Sequence, residues 1–474
     1  MRVPRARALA SLLLAGLFVT IISARRNAHP EELTAHQQLT RDIFQELVEI
    51  DTTQSKGDTA KAAEAMAAHL RAAGFAGPDV QVFGPAPRKG NLVARLRGSG
   101  ARKPILLLAH LDVVEAKRED WSVDPFKFLE KDGYFYGRGT FDDKSMAAIF
   151  VANLIQYRQD AYKPDRDIIV ALTADEEIGD RDGVGIKWLL EHHRNLIDAE
   201  YALNEGGSLY SKAGKPYINR VQTSEKVVLS YRLEVTNAGG HSSLPSKDNA
   251  IYHLAEGLAR LARFDFPVEL NNTTRAFFER MSALEEGQLA ADMKGVTLPE
   301  PDPAAAARLS ARPPYNAQLR TTCVATRLEA GHADNALPQT ARALVNCRIL
   351  PGEPVEEVQK TLVRVLADDQ ISVTPNETHT LSPPSPLNPE IMQAVERLTA
   401  EFWPGIPVVP SMLAGATDGR FLRNAGIPTY GHSGLEIDMF DNRFHGKDER
   451  IGVKSFFDGQ EYLYRMVRTL SGGK

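Results

Sequence analysis

The 474-residue chain is 43% hydrophobic and 25% charged, carries a formal net charge of −5 and contains only two cysteines. That length exceeds what one hydrophobic core holds, so two domains are expected. The slight acidity gives no electrostatic case for nucleic-acid binding. Cys323 and Cys347 supply neither a disulfide framework nor a thiolate zinc cluster. Twelve histidines and many carboxylates leave ample ligands for hard or borderline metals.

Arg2, Arg5 and Arg7 precede an apolar stretch over residues 8–24 that ends in Ser23-Ala24. This is the layout of a secretory signal, assigned to residues 1–27, with an uncleaved N-terminal membrane anchor as the alternative. The stretch is short for a membrane span. An exported location, periplasmic or secreted, is therefore expected.

The folded part begins with LTRDIFQELVEI, whose Leu39, Ile43, Leu47 and Ile50 recur at helical spacing. A second amphipathic helix is predicted over residues 60–73, stopping at Gly74. VQVF, NLVARLRG and PILLLAHLDVV then read as strands, and helices alternate with strands thereafter, the α/β signature. His110 and Asp112 end the very apolar strand 105–108 as His-Leu-Asp. Positions i and i+2 share one face of an extended chain, so Asp112 is placed to hold the His110 ring in the tautomer a metal needs. Taken alone, a histidine at a strand end is more often structural.

GYFYGRGTFDDKS follows, with Asp142 and Asp143 arriving where the apolar helix MAAIFVANLI begins. Either aspartate would serve there as a plain helix cap. The continuous apolar run of IIVALTADEEIG suits a strand buried on both faces, and Asp175, Glu176 and Glu177 stand where it runs out. Open α/β sheets bind ligands beyond the carboxyl ends of their strands, although an acidic turn on its own is usually just solvated. AEYALNEGGSLY repeats the pattern, ending a strand in Glu205. Three strand ends carrying acids or histidine make coincident caps the poorer account.

From about residue 225 the texture changes. VVLSYRLEVTN alternates like a half-exposed strand, and GGHSSLP turns around His241. A helix over 250–263 and the strands TCVATRLEAG and ARALVNCRIL lead to a helix over 355–368. Between them, the alanine-, proline- and charge-rich residues 271–318 read as an insertion or mobile excursion. The strand-helix-strand-strand-helix-strand order suits a small α+β sandwich of ferredoxin-like type. The larger domain resumes near Ser382 with the helix PEIMQAVERLTAEF, and a helix over 453–470 closes the chain.

HLD, GRGTFDDK, TADEE, NEGG, GGHSSLP, NALP, GATDGRF and FHGKDERI occur in one order along about residues 38–470. In that order the chain resembles the dinuclear-zinc metallopeptidase family M20, which includes acetylornithine deacetylase, succinyl-diaminopimelate desuccinylase, aminoacylase and carboxypeptidases. The resemblance implies a zinc-exopeptidase-like α/β catalytic domain with a mixed, mostly parallel sheet. It divides the chain into a first catalytic part (28–224), a lid and dimerisation domain (225–380) and a second catalytic part (381–474). It implies two Zn2+ per subunit, with Co2+ or Mn2+ able to substitute. His110, Asp142 and Glu205 would hold one ion, and Glu177 and His445 the other. Asp142 would bridge them, chosen over Asp143 because the family's bridging aspartate stands three residues after the last glycine of GRG. Glu176 would be the general base, Asp112 the orienter of His110, and His241 the lid histidine that helps hold the oxyanion. Asn335, Arg348, Gly415, Thr417 and Arg420 match substrate-binding positions, and arginine's fork suits a carboxylate.

One departure is visible. Ser145 follows Lys144 where the family usually has glycine, so its side chain is expected to crowd the metal loop slightly. Cys323 and Cys347 fall on neighbouring lid strands; an exported protein would allow them to pair, but two separate buried thiols are the expectation. The implied reaction is hydrolysis of an amide next to a free amino-acid carboxylate, in a carboxypeptidase or dipeptidase. The runner-up is an aminoacylase acting on N-acyl amino acids. Export argues against biosynthetic deacylation, which belongs in the cytoplasm. A non-catalytic binding protein on the same scaffold would have lost Glu176 or a ligand, and neither is missing. A homodimer through the lid is the expected assembly.

Overall fold

The computed structural model describes residues 32–473, so the signal or anchor segment lies outside the described residues. Ten strands form one mixed sheet. At its centre Ile168–Thr173, Ile105–His110, Tyr201–Asn204 and Thr429–Gly431 run parallel. Antiparallel strands flank them, Lys89–Leu96 on one side and Lys215–Glu225 on the other. Every residue of Ile105–His110 and of Ile168–Thr173 is buried, as continuous apolar runs demand when both faces are covered. The register pairs His110 with Thr173 and Leu107 with Leu203. Three chain segments therefore leave the sheet along the same edge, carrying His110, Glu176-Glu177 and Glu205.

The helix Ala35–Glu49 starts with a reciprocal Thr34–Gln37 cap and buries Ile43, Phe44 and Leu47. Phe44 stacks on Phe456 of the closing helix Val453–Ser471, ring centroids 4.5 Å apart. The helix Lys144–Gln159 is buried on nearly all sides, which explains its unbroken apolar sequence. Among the described residues no helix is long and apolar enough to cross a membrane.

A second, four-stranded sheet runs in the order Thr322–Ala330, Thr340–Ile349, Val227–Thr236, Ser372–Pro375, antiparallel throughout. In Thr340–Ile349 alternate residues are buried, from Ala341 to Ile349. That face packs on the helices Ala250–Leu261 and Val355–Leu366, completing the strand-helix pattern expected of a small α+β sandwich.

Two expectations need correction here. Residues 271–318 are not a structureless excursion: they form the helices Asn272–Ser282, Gly287–Val296, Pro303–Ser310 and Pro313–Leu319. Phe278, Met281 and Leu309 pack with Ile218 and Val409 of the large sheet. Pro303, Pro313 and Pro314 stand in the first turns of the last two helices, where the missing N–H costs nothing. Cys323 and Cys347 are not separate thiols. They face each other across neighbouring antiparallel strands with Cα atoms 4.1 Å apart and form a disulfide.

Candidate active site

At the common strand edge the two oxygens of Asp142 face two histidines. Oδ1 lies 3.0 Å from His110 Nε2, and Oδ2 lies 3.1 Å from His445 Nε2. Glu205 Oε1 completes one group at 4.0 Å from His110 Nε2, and Glu177 Oε2 the other at 2.9 Å from His445 Nε2. Within each group the ligand atoms lie within 4.8 Å of one another. Asp143 heads the Lys144–Gln159 helix without capping it through its side chain, and Asp142 points into the cluster instead. Helix capping therefore accounts for neither carboxylate.

Asp112 stands beside His110, but it is the main-chain carbonyl of Asp112 that contacts Nδ1, at 2.9 Å, while its carboxylate is 3.7 Å away. The expected carboxylate–imidazole bond is thus replaced by a carbonyl contact. The Asp112 carboxylate accepts the backbone N–H groups of Glu176 and Glu177, at 3.1 and 3.0 Å. It fixes the turn that carries both glutamates. Asp175, the third acid of that stretch, turns away in a left-handed conformation (φ 64°) and pairs with Lys89 Nζ at 2.6 Å. The Ser145 hydroxyl folds back onto Phe141 O at 3.2 Å, so it secures the loop rather than crowding it.

Glu449 was legible as part of FHGKDERI but not as a functional residue. Its buried carboxylate accepts N–H from Gly139, Phe141 and Asp142 and a 2.8 Å bond from Arg138. It is the clamp of the glycine-rich loop that presents Asp142. Thr173 Oγ1 similarly donates to the buried Asp418 at 2.8 Å.

Burial dominates the electrostatics of the cluster. Burial, and then the charges of Asp142 and Glu176, push the Glu205 carboxyl well above the carboxylate range. Burial does the same to Glu176 and Asp143. Asp142 stays below the usual range despite its burial, because His110 and His445 both contact it. Donating to the Asp142 and Glu177 carboxylates raises His445 to about 10. Glu177 Oε1 and Asp143 Oδ2 are buried without a partner. Imidazole nitrogens and carboxylate oxygens in this mixture are the donor set zinc and similar ions favour.

A cavity of about 530 Å3 opens beside the cluster. Glu176 and the Gly415–Arg420 stretch line it, together with the apolar side chains of Phe141, Met146, Leu435 and Phe444. Arg348 stands just behind, donating to Ala414 O at 3.3 Å and held below the usual arginine value by burial and by the Arg420 charge. Thr417 lines the cavity with its hydroxyl already engaged, donating to Glu225 at 2.9 Å and accepting from Asn204 at 3.2 Å. His241 and Asn335 are the sequence-predicted residues not brought in. They sit together on the exposed pairing of Gly240–His241 with Ala336–Leu337, where Ser242 N donates to Asn335 O at 3.0 Å.

Buried acids so crowded are relieved by protons or by cations, and the two histidines that share Asp142 with them make this sheet edge the donor set of a metal-dependent enzyme. The particular family follows from comparison with known proteins. The profile of peptidase family M20/M25/M40 matches residues 106–469, and the chain belongs to that family. It is 31% identical over 386 residues to the N-fatty-acyl-amino acid synthase/hydrolase PM20D1 of Homo sapiens, covering 77% of this chain and 74% of that one. Its fold is similar to the M20 family metallo-carboxypeptidase Sso-CP2 from Sulfolobus solfataricus, with TM-score 0.69, 17% identity and coverage of 91% and 99%. It is also similar to the Bacillus subtilis YXEP protein, a dinuclear metal binding peptidase, with TM-score 0.59, 12% identity and coverage of 91% and 97%.

Proposed function

We propose that the protein is a dinuclear-zinc amidohydrolase that frees an amino acid from an N-acyl amino acid with a long apolar acyl group. The observation that carries this reading is the apolar wall of the cavity, where Phe141, Met146, Leu435, Ile437 and Phe444 adjoin the carboxylate cluster. A peptide would bring N–H and C=O groups to a surface with few partners for them, and an unpaired polar group there is costly. A hydrocarbon brings none. We therefore rank the N-acyl substrate ahead of the dipeptide, the reverse of the order expected from sequence. The N-fatty-acyl-amino acid synthase/hydrolase name of the human relative supports it.

His110, Asp142 and Glu205 would hold one zinc ion, and Asp142, Glu177 and His445 the other. Co2+ or Mn2+ would suit the same donors. When bound, the ions supply Lewis acidity toward the amide carbonyl and make water a stronger acid. Glu176, whose burial favours proton uptake, takes the proton from water and returns it to the departing amine nitrogen. Arg420, with Arg348 behind it, receives the amino-acid carboxylate, and Gly415 leaves room for the substrate backbone. The smaller sheet acts as a lid, bringing His241 and Asn335 to the amide oxygen when it closes.

Export is supported by the oxidised Cys323–Cys347 pair, which suits an oxidising compartment. The edge strand Thr322–Ala330, with Val324 and Leu328 exposed, is the surface assigned to a second copy of the chain, since an open edge invites pairing. The test is amino-acid release from matched N-acyl amino acids and dipeptides, before chelation, after it, and after zinc is restored. Release from the acyl series that is lost and recovered supports the reading. Release from dipeptides alone reverses the substrate order, and release indifferent to chelation overturns the mechanism.

A further inference from the structure

The reaction cavity does not end in solid protein. A second cavity of about 250 Å3 lies next to it, and Phe141, Ile437 and Phe444 line both. Between the two spaces the rings of Phe141 and Phe444 are stacked, centroids 6.2 Å apart and planes 19° from parallel. The two rings are not equally held. Phe141 packs against the main hydrophobic core. Phe444 is 41% exposed, and its other ring contact is an edge meeting with His445 at 5.9 Å.

We infer that Phe444 is the specificity-determining end wall of the acyl site, and that the space behind it is a distal subsite for the far end of a long hydrocarbon chain. This rests on the N-acyl reading above. The second cavity suits that occupant. Tyr134, Ile437 and Ile451 give it apolar surface, and no atom lies within 4 Å of a Cβ built on Gly133 or Gly214, so that side is open. Most of its charged groups are already matched: Asp438 accepts the N–H groups of Gly214 and Phe440, and Glu436, which has no side-chain partner among the described residues, is only half-buried. Arg443 donates to Asp441 at 2.7 Å, and Arg450 also pairs with Asp441. Arg450 further donates to Tyr136 Oη at 2.8 Å and lies 3.8 Å above the Tyr134 ring. Lys454 pairs with Asp458. A chain end entering the space therefore meets charges that are already paired or, at Glu436, still open to water, so an apolar group binds there without stranding a buried charge.

The ring stack therefore separates two populations of substrate. Shorter acyl groups end against Phe444, and longer ones must displace it. Each methylene that then passes out of water contributes about fourfold in kcat/KM. The experiment measures kcat/KM for N-acyl phenylalanines with eight- and sixteen-carbon chains in the full-length protein, and follows the long-to-short ratio. Taking the ratio within one variant cancels any loss of metal or fold that affects both substrates alike. Phe444→Ala is expected to raise the ratio by about tenfold or more, the span of a few methylenes, and Phe444→Trp to lower it. Phe444→Leu gives the same comparison, with a smaller rise, should the alanine variant not fold. A ratio within about twofold of wild type in all soluble variants overturns the end wall while leaving the N-acyl reading intact. Wild-type protein that releases amino acids from dipeptides but from neither acyl substrate overturns both.

Discussion

The two sheets differ in how they hold their side chains. In the large sheet the strands ending in His110 and Thr173 are buried at every position, so the groups beyond them cannot shift without unpacking both faces. In the small sheet Val227–Thr236 and Thr340–Ile349 bury mainly alternate residues, and the neighbouring pairing of Gly240–His241 with Ala336–Leu337 is exposed or half-buried. The lesson is a division of work. On the reading proposed above, proton transfer and cation binding would fall to the rigid strand ends, where placement is maintained by packing. On that same reading, closing over a substrate would fall to the smaller sheet, moving as a unit.

The sharpest test of the rigid half is Glu176→Gln. It keeps the shape and removes the base, so kcat should fall by about 10²–10⁴-fold with zinc content and circular dichroism unchanged. An active Gln variant would move the base elsewhere. On the smaller sheet, His241→Ala should leave the thermal midpoint unaltered, because His241 is exposed and among the described residues its ring bonds only to Ser243. It should still lower kcat by about 10²-fold if closure brings the ring to the amide oxygen. Unchanged turnover would confine the chemistry to the large sheet. Asp112→Asn tests the turn between strand and cluster. It exchanges one acceptor for a donor against the N–H groups of Glu176 and Glu177, so metal affinity or turnover should fall about 10–100-fold. A zinc titration beside the kinetics separates the two.

The sequence was most readable where local and tertiary demands agree. The apolar runs before His110 and Glu176, and the acids that follow them, already mark strand ends facing a common edge. What escaped depends on partners remote in the chain. Nothing near Glu449 discloses that its acceptors' donors are Gly139, Phe141 and Asp142, more than 300 positions away. The orientation of His110 by a carbonyl rather than a carboxylate depends on where Glu176 and Glu177 place their N–H groups. Residues 271–318 misled for a third reason, since proline and alanine content describes both a linker and the first turns of short helices.

The disulfide gives the mildest test of turnover and the clearest test of independence between the sheets. Cys323 and Cys347 are 24 residues apart, and closing a loop of that size constrains the unfolded chain by about 3 kcal/mol. The double change Cys323→Ser/Cys347→Ser should therefore lower the denaturant midpoint of the small sheet by a corresponding amount. Neither sulfur borders the reaction cavity. Arg348, the next residue, is held separately by Asn346 Oδ1 at 3.1 Å and Ala414 O. Turnover at a temperature where the variant remains folded should thus change by less than about twofold, the scale of a surface substitution. If kcat instead fell with stability across a temperature series, the cluster and the small sheet would be one cooperative unit, and Arg348 would be transmitting the strain of one sheet to the substrate site of the other.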